Sequence, residues 1–206
     1  MRKIGFLILA IAVVGYITGC KSPKPVKTIE NLKAAYNGES TASAKYAAFA
    51  LKAKEEGFDT VAKMFEATSK SEAIHANNHK KVLGKLGEKD EPAIIGAFEV
   101  KTTVENLADA AAGETYEIDS MYPSFIKIAE AEKCEDAKKS FTWAWDTEKK
   151  HKEFYLRAHD ALLKEGEKTL PLQWFVCPTC GNTYDSASLN EKCDFCLTPK
   201  EKFFIF

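Results

Sequence analysis

Two Glu-x-x-His motifs, each preceded at nearly the same distance by a Gly-Glu-Ser/Thr element, mark where this 206-residue chain could do chemistry. The first set is Gly38-Glu39-Ser40 and then Glu72-Ala73-Ile74-His75; the second is Gly113-Glu114-Thr115 and then Glu148-Lys149-Lys150-His151. Glu39 and Glu72 stand 33 positions apart, Glu114 and Glu148 34. An i, i+3 pair shares one helical face, so each Glu and its His can reach one point. If each element sits on its own helix, four carboxylates and two imidazoles converge. Burying four carboxylates without cations is very costly. Two metal ions would compensate them, and a carboxylate-rich set with few imidazoles suits iron or manganese better than copper or structural zinc. Metals about 3.5–4 Å apart can hold both oxygens of a small substrate. Glu117 follows Glu114 by three positions, faces the same side and is a seventh candidate ligand. One such motif alone would read as solvated surface glutamate; the matched repetition argues for a site.

A second cluster lies at the other end of the chain. Cys177-Pro178-Thr179-Cys180-Gly181 and Cys193-Asp194-Phe195-Cys196 are two Cys-x-x-Cys knuckles separated by 12 residues. They supply four thiolates at the spacing of one tetrahedral metal. Zinc and iron both fit that set, and two disulfides are the third alternative. The remaining candidates have plainer readings. His79 and His159 read as hydrogen-bonded or surface residues, Glu66 as an outer or exposed one, Trp143 and Trp145 as packing, and Cys134 as a bystander.

The carboxylates need helices to carry them. The pattern predicts a first helix from about Thr28 to Gly57, Ala-rich over 42–50, and a second from about Asp59 to Gly87. Residues 88–100, with Pro92 and Gly96 and no clear period, read as a long crossover. A third helix starts near Thr102 or Thr103; Pro123 should kink it or begin a further segment ending near Glu132. The fourth runs from about Asp136 to Gly166. Each half also has a tyrosine one to two turns past its first Glu, Tyr46 at +7 and Tyr122 at +8. The expected fold is therefore mainly α, a four-helix bundle over 28–168 followed by a small β-rich domain over 172–206.

Arg2 and Lys3 precede an apolar run from Ile4 to Ile17, short for a membrane span but suited to a signal peptide. Ile17-Thr18-Gly19-Cys20 then resembles a bacterial lipobox. Residues 1–19 are expected to be removed, leaving Cys20 lipidated and 20–27 as a tether, with the protein exported and membrane-anchored only through that lipid. The alternatives are an uncleaved anchor helix, or an ordinary signal with Cys20 incidental. The formal net charge is −1 and no basic stripe is present, which gives nucleic-acid binding no electrostatic support.

Together these features resemble the rubrerythrin family over nearly everything after the tether. The resemblance rests on Tyr36-Asn37-Gly38-Glu39-Ser40, on Ala111-Ala112-Gly113-Glu114 through Glu117, and on Met121-Tyr122-Pro123-Ser124-Phe125. Glu148-x-x-His151, the four cysteines and Pro199-Lys200 complete it. It implies a ferritin-like di-iron bundle with a rubredoxin-like domain holding one iron on Cys177, Cys180, Cys193 and Cys196. It further implies that Glu39, Glu72, His75, Glu114, Glu148 and His151 ligate the iron pair, that Glu72 and Glu148 bridge, and that Glu117 and His75 exchange with oxidation state. Tyr46 and Tyr122 would hydrogen-bond the carboxylates and could donate protons. The implied activity is reduction of hydrogen peroxide to water, in oxidative-stress defence, with NADH-derived electrons delivered by a rubredoxin-like protein or flavoprotein reductase. The implied assembly is a homodimer in which each four-cysteine site lies near the partner's iron pair. Typical members are cytoplasmic, the alternative to export, and Asp194 stands where they commonly have proline. The competing functions are a ferritin-like iron-oxidising or iron-storing protein, which needs no four-cysteine domain, and a non-catalytic bundle with a structural zinc ribbon.

Overall fold

The computed structural model describes residues 24–164 and 166–206, so the expected signal, tether cysteine and cleavage site lie outside the described residues. The long helices are α1 (Val26–Glu55), α2 (Asp59–Lys85), α3 (Thr103–Tyr116), α4 (Tyr122–Ala131) and α5 (Glu135–Lys164). Their ends follow from local chemistry. Pro25 precedes α1, and Gly57 takes φ +84° just past its end, where Phe58 N–H returns to Ala53 O at 2.8 Å. Glu167 accepts the free N–H groups of Thr60 and Val61 at the start of α2. Thr102 and Glu105 form a reciprocal capping box on α3.

The crossover after α2 has no regular structure through residue 102 and lies along α1, with Ile94 N–H on Asn37 Oδ1 and Gly96 N–H on Thr41 Oγ1. It lets α3 and α5 complete the bundle with α1 and α2. Two apolar clusters hold the helices. One is centred on Tyr46, Phe49, Phe65, Leu107 and Tyr155, the other on Leu32, Tyr122, Phe141 and Ala144. The carboxylates lie between them. Among the described residues no helix is long and apolar enough to cross a membrane.

Of the two expectations for Pro123, the second holds: it begins a further segment, sitting in the first turn of α4, which ends at Ala131 with Glu132 as its C-cap, and there its missing N–H costs nothing. The interruption comes earlier, as a π-helical segment over Glu117–Met121 in which Tyr122 N–H bonds to Glu117 O five residues back.

The C-terminal residues form an antiparallel sheet of β1 (Trp174–Val176), β2 (Thr183–Asp185) and β3 (Phe204–Ile205) in the order β2-β1-β3. Its own small core is Cys177, Cys180, Tyr184, Cys193 and Phe203. Trp174 and Val176 join the bundle's core instead, Trp174 packing edge-on to Phe154 at 4.7 Å.

Candidate metal centres

Four of the five α-helices each deliver one part of the carboxylate cluster: α1 Glu39, α2 Glu72 and His75, α3 Glu114, and α5 Glu148 and His151. All six side chains are buried. They form two overlapping sets of potential ligands, Glu39/Glu72/His75/Glu148 and Glu72/Glu114/Glu148/His151. Glu72 and Glu148 belong to both. Each places one oxygen beside each imidazole: His75 Nδ1 is 3.0 Å from Glu72 Oε2 and from Glu148 Oε1, and His151 Nδ1 is 3.0 Å from Glu72 Oε1 and 2.8 Å from Glu148 Oε2. The imidazole rings stack 6.4 Å apart.

The donor set fits metal. Glu39 Oε2, Glu72 Oε1, both Glu148 carboxylate oxygens and His151 Nδ1 are buried and make no properly directed hydrogen bond, although the imidazole and carboxylate atoms crowd one another at about 3 Å. Buried polar atoms are otherwise nearly always paired. The protonation pattern shows the same need for cations. Burial, then the Glu148 charge, drives Glu72 and Glu114 above the usual carboxylate range. Burial disfavours charge on His75 and His151, but the surrounding carboxylates outweigh it. His75 is held well above its usual value and His151 at about 10. Metal binding at such a cluster displaces protons.

Glu117 is half-buried on the π-helical segment and belongs to neither set of four. Burial, and then the charges of Glu39 and Glu114, push its pKa well up. The two tyrosines lie where the sequence suggested: Tyr46 donates to Glu114 Oε1 at 2.5 Å and Tyr122 donates to Glu39 Oε1. Burial first, and then the neighbouring carboxylates, hold both phenols protonated.

The four cysteine sulfurs converge in the small domain, all as free thiols, with Cys177–Cys196 and Cys180–Cys193 Sγ separations of 3.4 Å. The disulfide alternative therefore falls. This domain sits on the bundle of its own chain, directly over the outer edges of the two imidazoles. His151 Nε2 meets Thr183 Oγ1 at 2.9 Å, and Thr183 donates in turn to Gly181 O. Ser71 Oγ donates to Gly181 O at 2.6 Å. Gly181 has φ +86°, and a Cβ there would overlap the His75 ring, so only glycine allows this approach. The resemblance assigns such a contact to two subunits; here it is made within one chain.

A family model described as Rubrerythrin matches residues 30–159. The chain belongs to the rubrerythrin family. Nigerythrin of Nitratidesulfovibrio vulgaris is 36% identical over 85% of each chain, and rubrerythrin-2 of Clostridium acetobutylicum is 33% identical over 90% of this chain and all of that one. The structure of fully reduced, all-ferrous nigerythrin superposes with a TM-score of 0.78 at 32% identity, covering 97% of this chain and 100% of that one. Bacterioferritin from Desulfovibrio desulfuricans shares the fold at 18% identity, with a TM-score of 0.66. As in other rubrerythrins, the carboxylate–imidazole cluster is a di-iron site and the four cysteines form a rubredoxin-like iron site.

Further residues support this rubrerythrin site, some of them legible in the sequence and some not. His79, read as a hydrogen-bonded or surface residue, is the former: it is buried, its Nδ1 meets Ser140 Oγ at 2.8 Å and its Nε2 meets Tyr122 OH at 3.3 Å. Its position one turn beyond His75 was the available signal. Trp145 donates from Nε1 to Ile118 O at 2.9 Å, which pins the π-helical segment carrying Glu117. Trp143 packs against the cysteine core. Thr183 and Asn182 had no signal, because their roles exist only once the small domain is seated. Glu66 and His159 lie outside both clusters, and Cys134 is a buried free thiol.

Proposed function

We propose that this di-iron protein is a peroxidase that reduces hydrogen peroxide to two waters, with electrons entering through the iron on the four cysteines. When bound, the iron pair supplies two electrons to the O–O bond, and two protons complete the balance. The chain's own residues do the rest. Glu72 and Glu148, each with one oxygen toward each imidazole, would be the ligands shared by the two metals. Glu39 with His75 and Glu114 with His151 complete the two halves. Glu117, on the π-helical segment, would serve as a ligand in only one oxidation state, in exchange with His75, as the family resemblance implies. Tyr46 and Tyr122 hold protons on their hydroxyls against Glu114 and Glu39. They orient those carboxylates and keep protons within reach of a departing oxygen. Tight packing by two apolar clusters excludes bulk water.

One observation carries the electron-entry part: the four-cysteine domain is seated against the outer edges of both ligand histidines. A ferritin-like iron store needs no such domain, and a structural ribbon needs no contact with the iron ligands. An iron on the four cysteines would return electrons one at a time, drawn from a rubredoxin-like protein or a flavoprotein reductase. The intrachain seat supports a relay that works within each subunit of a homodimer. On the Ile17–Cys20 motif we also propose an exported lipoprotein; an intact mass retaining Met1 would contradict that.

The test is anaerobic. Iron is counted per chain, the protein is fully reduced, and peroxide is added in known amount. The expected result is consumption of peroxide in proportion to the iron pair, with water and no dioxygen as product. Reduced protein that leaves peroxide untouched, or zinc in the four-cysteine site of protein isolated from its natural source, would overturn the reading.

A further inference from the structure

Lys150 lies between Glu148 and His151 in sequence, yet its side chain leaves the bundle and enters the four-cysteine domain. Its Nζ donates to Asn182 Oδ1 at 2.8 Å. It lies 4.3 Å from the centre of the Tyr184 ring and 5.0 Å from that of Phe195, with Asp194 Oδ2 at 3.7 Å. Asn182 is fully buried, and its amide nitrogen donates to Tyr184 OH at 2.7 Å and to Cys193 Sγ at 3.7 Å. An unbroken polar chain thus runs from the ammonium, through the amide, to one sulfur of the iron site.

We propose that Lys150, acting through Asn182, sets the reduction potential of the iron on the four cysteines and raises it when the domain is seated on the bundle. Reduction adds one electron and no proton, so the iron and its four thiolates gain one negative charge. A fixed cation nearby favours that state, and so does an N–H donor on sulfur. The cation also polarises the Asn182 amide, which strengthens its bond to Cys193. Partial burial limits solvent screening of the charge. Lys150 is a positioning and tuning residue: it touches neither substrate nor iron. Its place on α5 means that the helix holding two of the di-iron ligands also poises the site that feeds them.

The plainer reading is that Lys150 only fastens the domain down, and a redox titration separates the two. The visible absorption of the oxidised thiolate-bound iron is followed against potential in the full chain, with iron counted in each variant. Lys150→Met should lower the potential by about 59 mV, a roughly tenfold shift for a one-electron couple. Lys150→Gln, which keeps a donor toward Asn182 but no charge, should shift it the same way. Lys150→Arg should stay near wild type. Lys149→Met is the control, because that ammonium lies over Trp145, 3.2 Å from the ring centre, and pairs with Asp146; it should not shift. Wild-type potential in both uncharged variants would overturn the proposal. So would loss of the thiolate-bound iron from both, since Lys150 would then be a fastening alone. No peroxide is used, so this result stands apart from the peroxidase reading.

Discussion

In the bundle, six clustered ligands come from residues 39 to 151 and from four helices; in the small domain, four come from the 20 residues between Cys177 and Cys196. The bundle has two apolar clusters of its own, built on Phe49, Phe65, Leu107, Leu32 and Phe141, and the carboxylates are guests between them. The small domain's core consists largely of the metal ligands themselves: Cys177, Cys180 and Cys193, with Tyr184 and Phe203. So few apolar residues cannot hold a domain of this size without a staple. One site is therefore a charge cluster that a stable fold tolerates, and the other is a fold that its metal creates.

That contrast can be broken by removing each metal in turn, and the largest effect is expected at the cysteines. Cys193→Ser should lose the thiolate-bound iron, unfold residues 172–206 and abolish steady turnover, while far-ultraviolet circular dichroism keeps the helical signal. Collapse of both domains together would mean that they form one cooperative unit. Glu148→Ala should do the converse, losing the iron pair and keeping the iron on the four cysteines, again with helices intact. An ordinary surface glutamate would change stability by only about 0.5 kcal/mol and leave iron content alone.

The contact between the two regions gives the next effect. Gly181→Ala forces a left-handed backbone that costs about 1–2 kcal/mol and drives a methyl into His75. Both iron sites should stay loaded, but electron transfer between them should slow by at least about tenfold. Unchanged transfer would show that the seat is not the route. Glu117→Ala should have the smallest effect on composition: the iron pair is retained and peroxide turnover falls about 10–100-fold, the range found for residues that support a metal site without being permanent ligands.

The two regions also differed in how far they could be read from sequence. The four-cysteine site was legible outright, since two knuckles fix four sulfurs with little help from the rest of the chain. The di-iron set was legible because i, i+3 spacing and repetition survive in a one-dimensional pattern. Glu117 was identified as a candidate, but its π-helical setting was not. A single widened turn leaves no periodic trace over five residues, and Pro123, which drew attention, fits an α-helical first turn without strain. The partners that hold the small domain down, Thr183 on His151, Asn182 on Lys150, and Asp185 on Arg157 at 2.8 Å, join residues 28 or more positions apart. No local pattern announces them.

In the relay proposed here, peroxide oxidises the iron on the four cysteines only by way of the iron pair. Anaerobic stopped-flow mixing of fully reduced protein with peroxide tests it, following the reappearance of the oxidised iron–thiolate absorption in wild type and in Glu148→Ala. Rapid reoxidation is expected in wild type, and a thiolate-bound iron that stays reduced in Glu148→Ala. Equal rates in the two proteins, or a thiolate-bound iron that stays reduced in wild type, would contradict it.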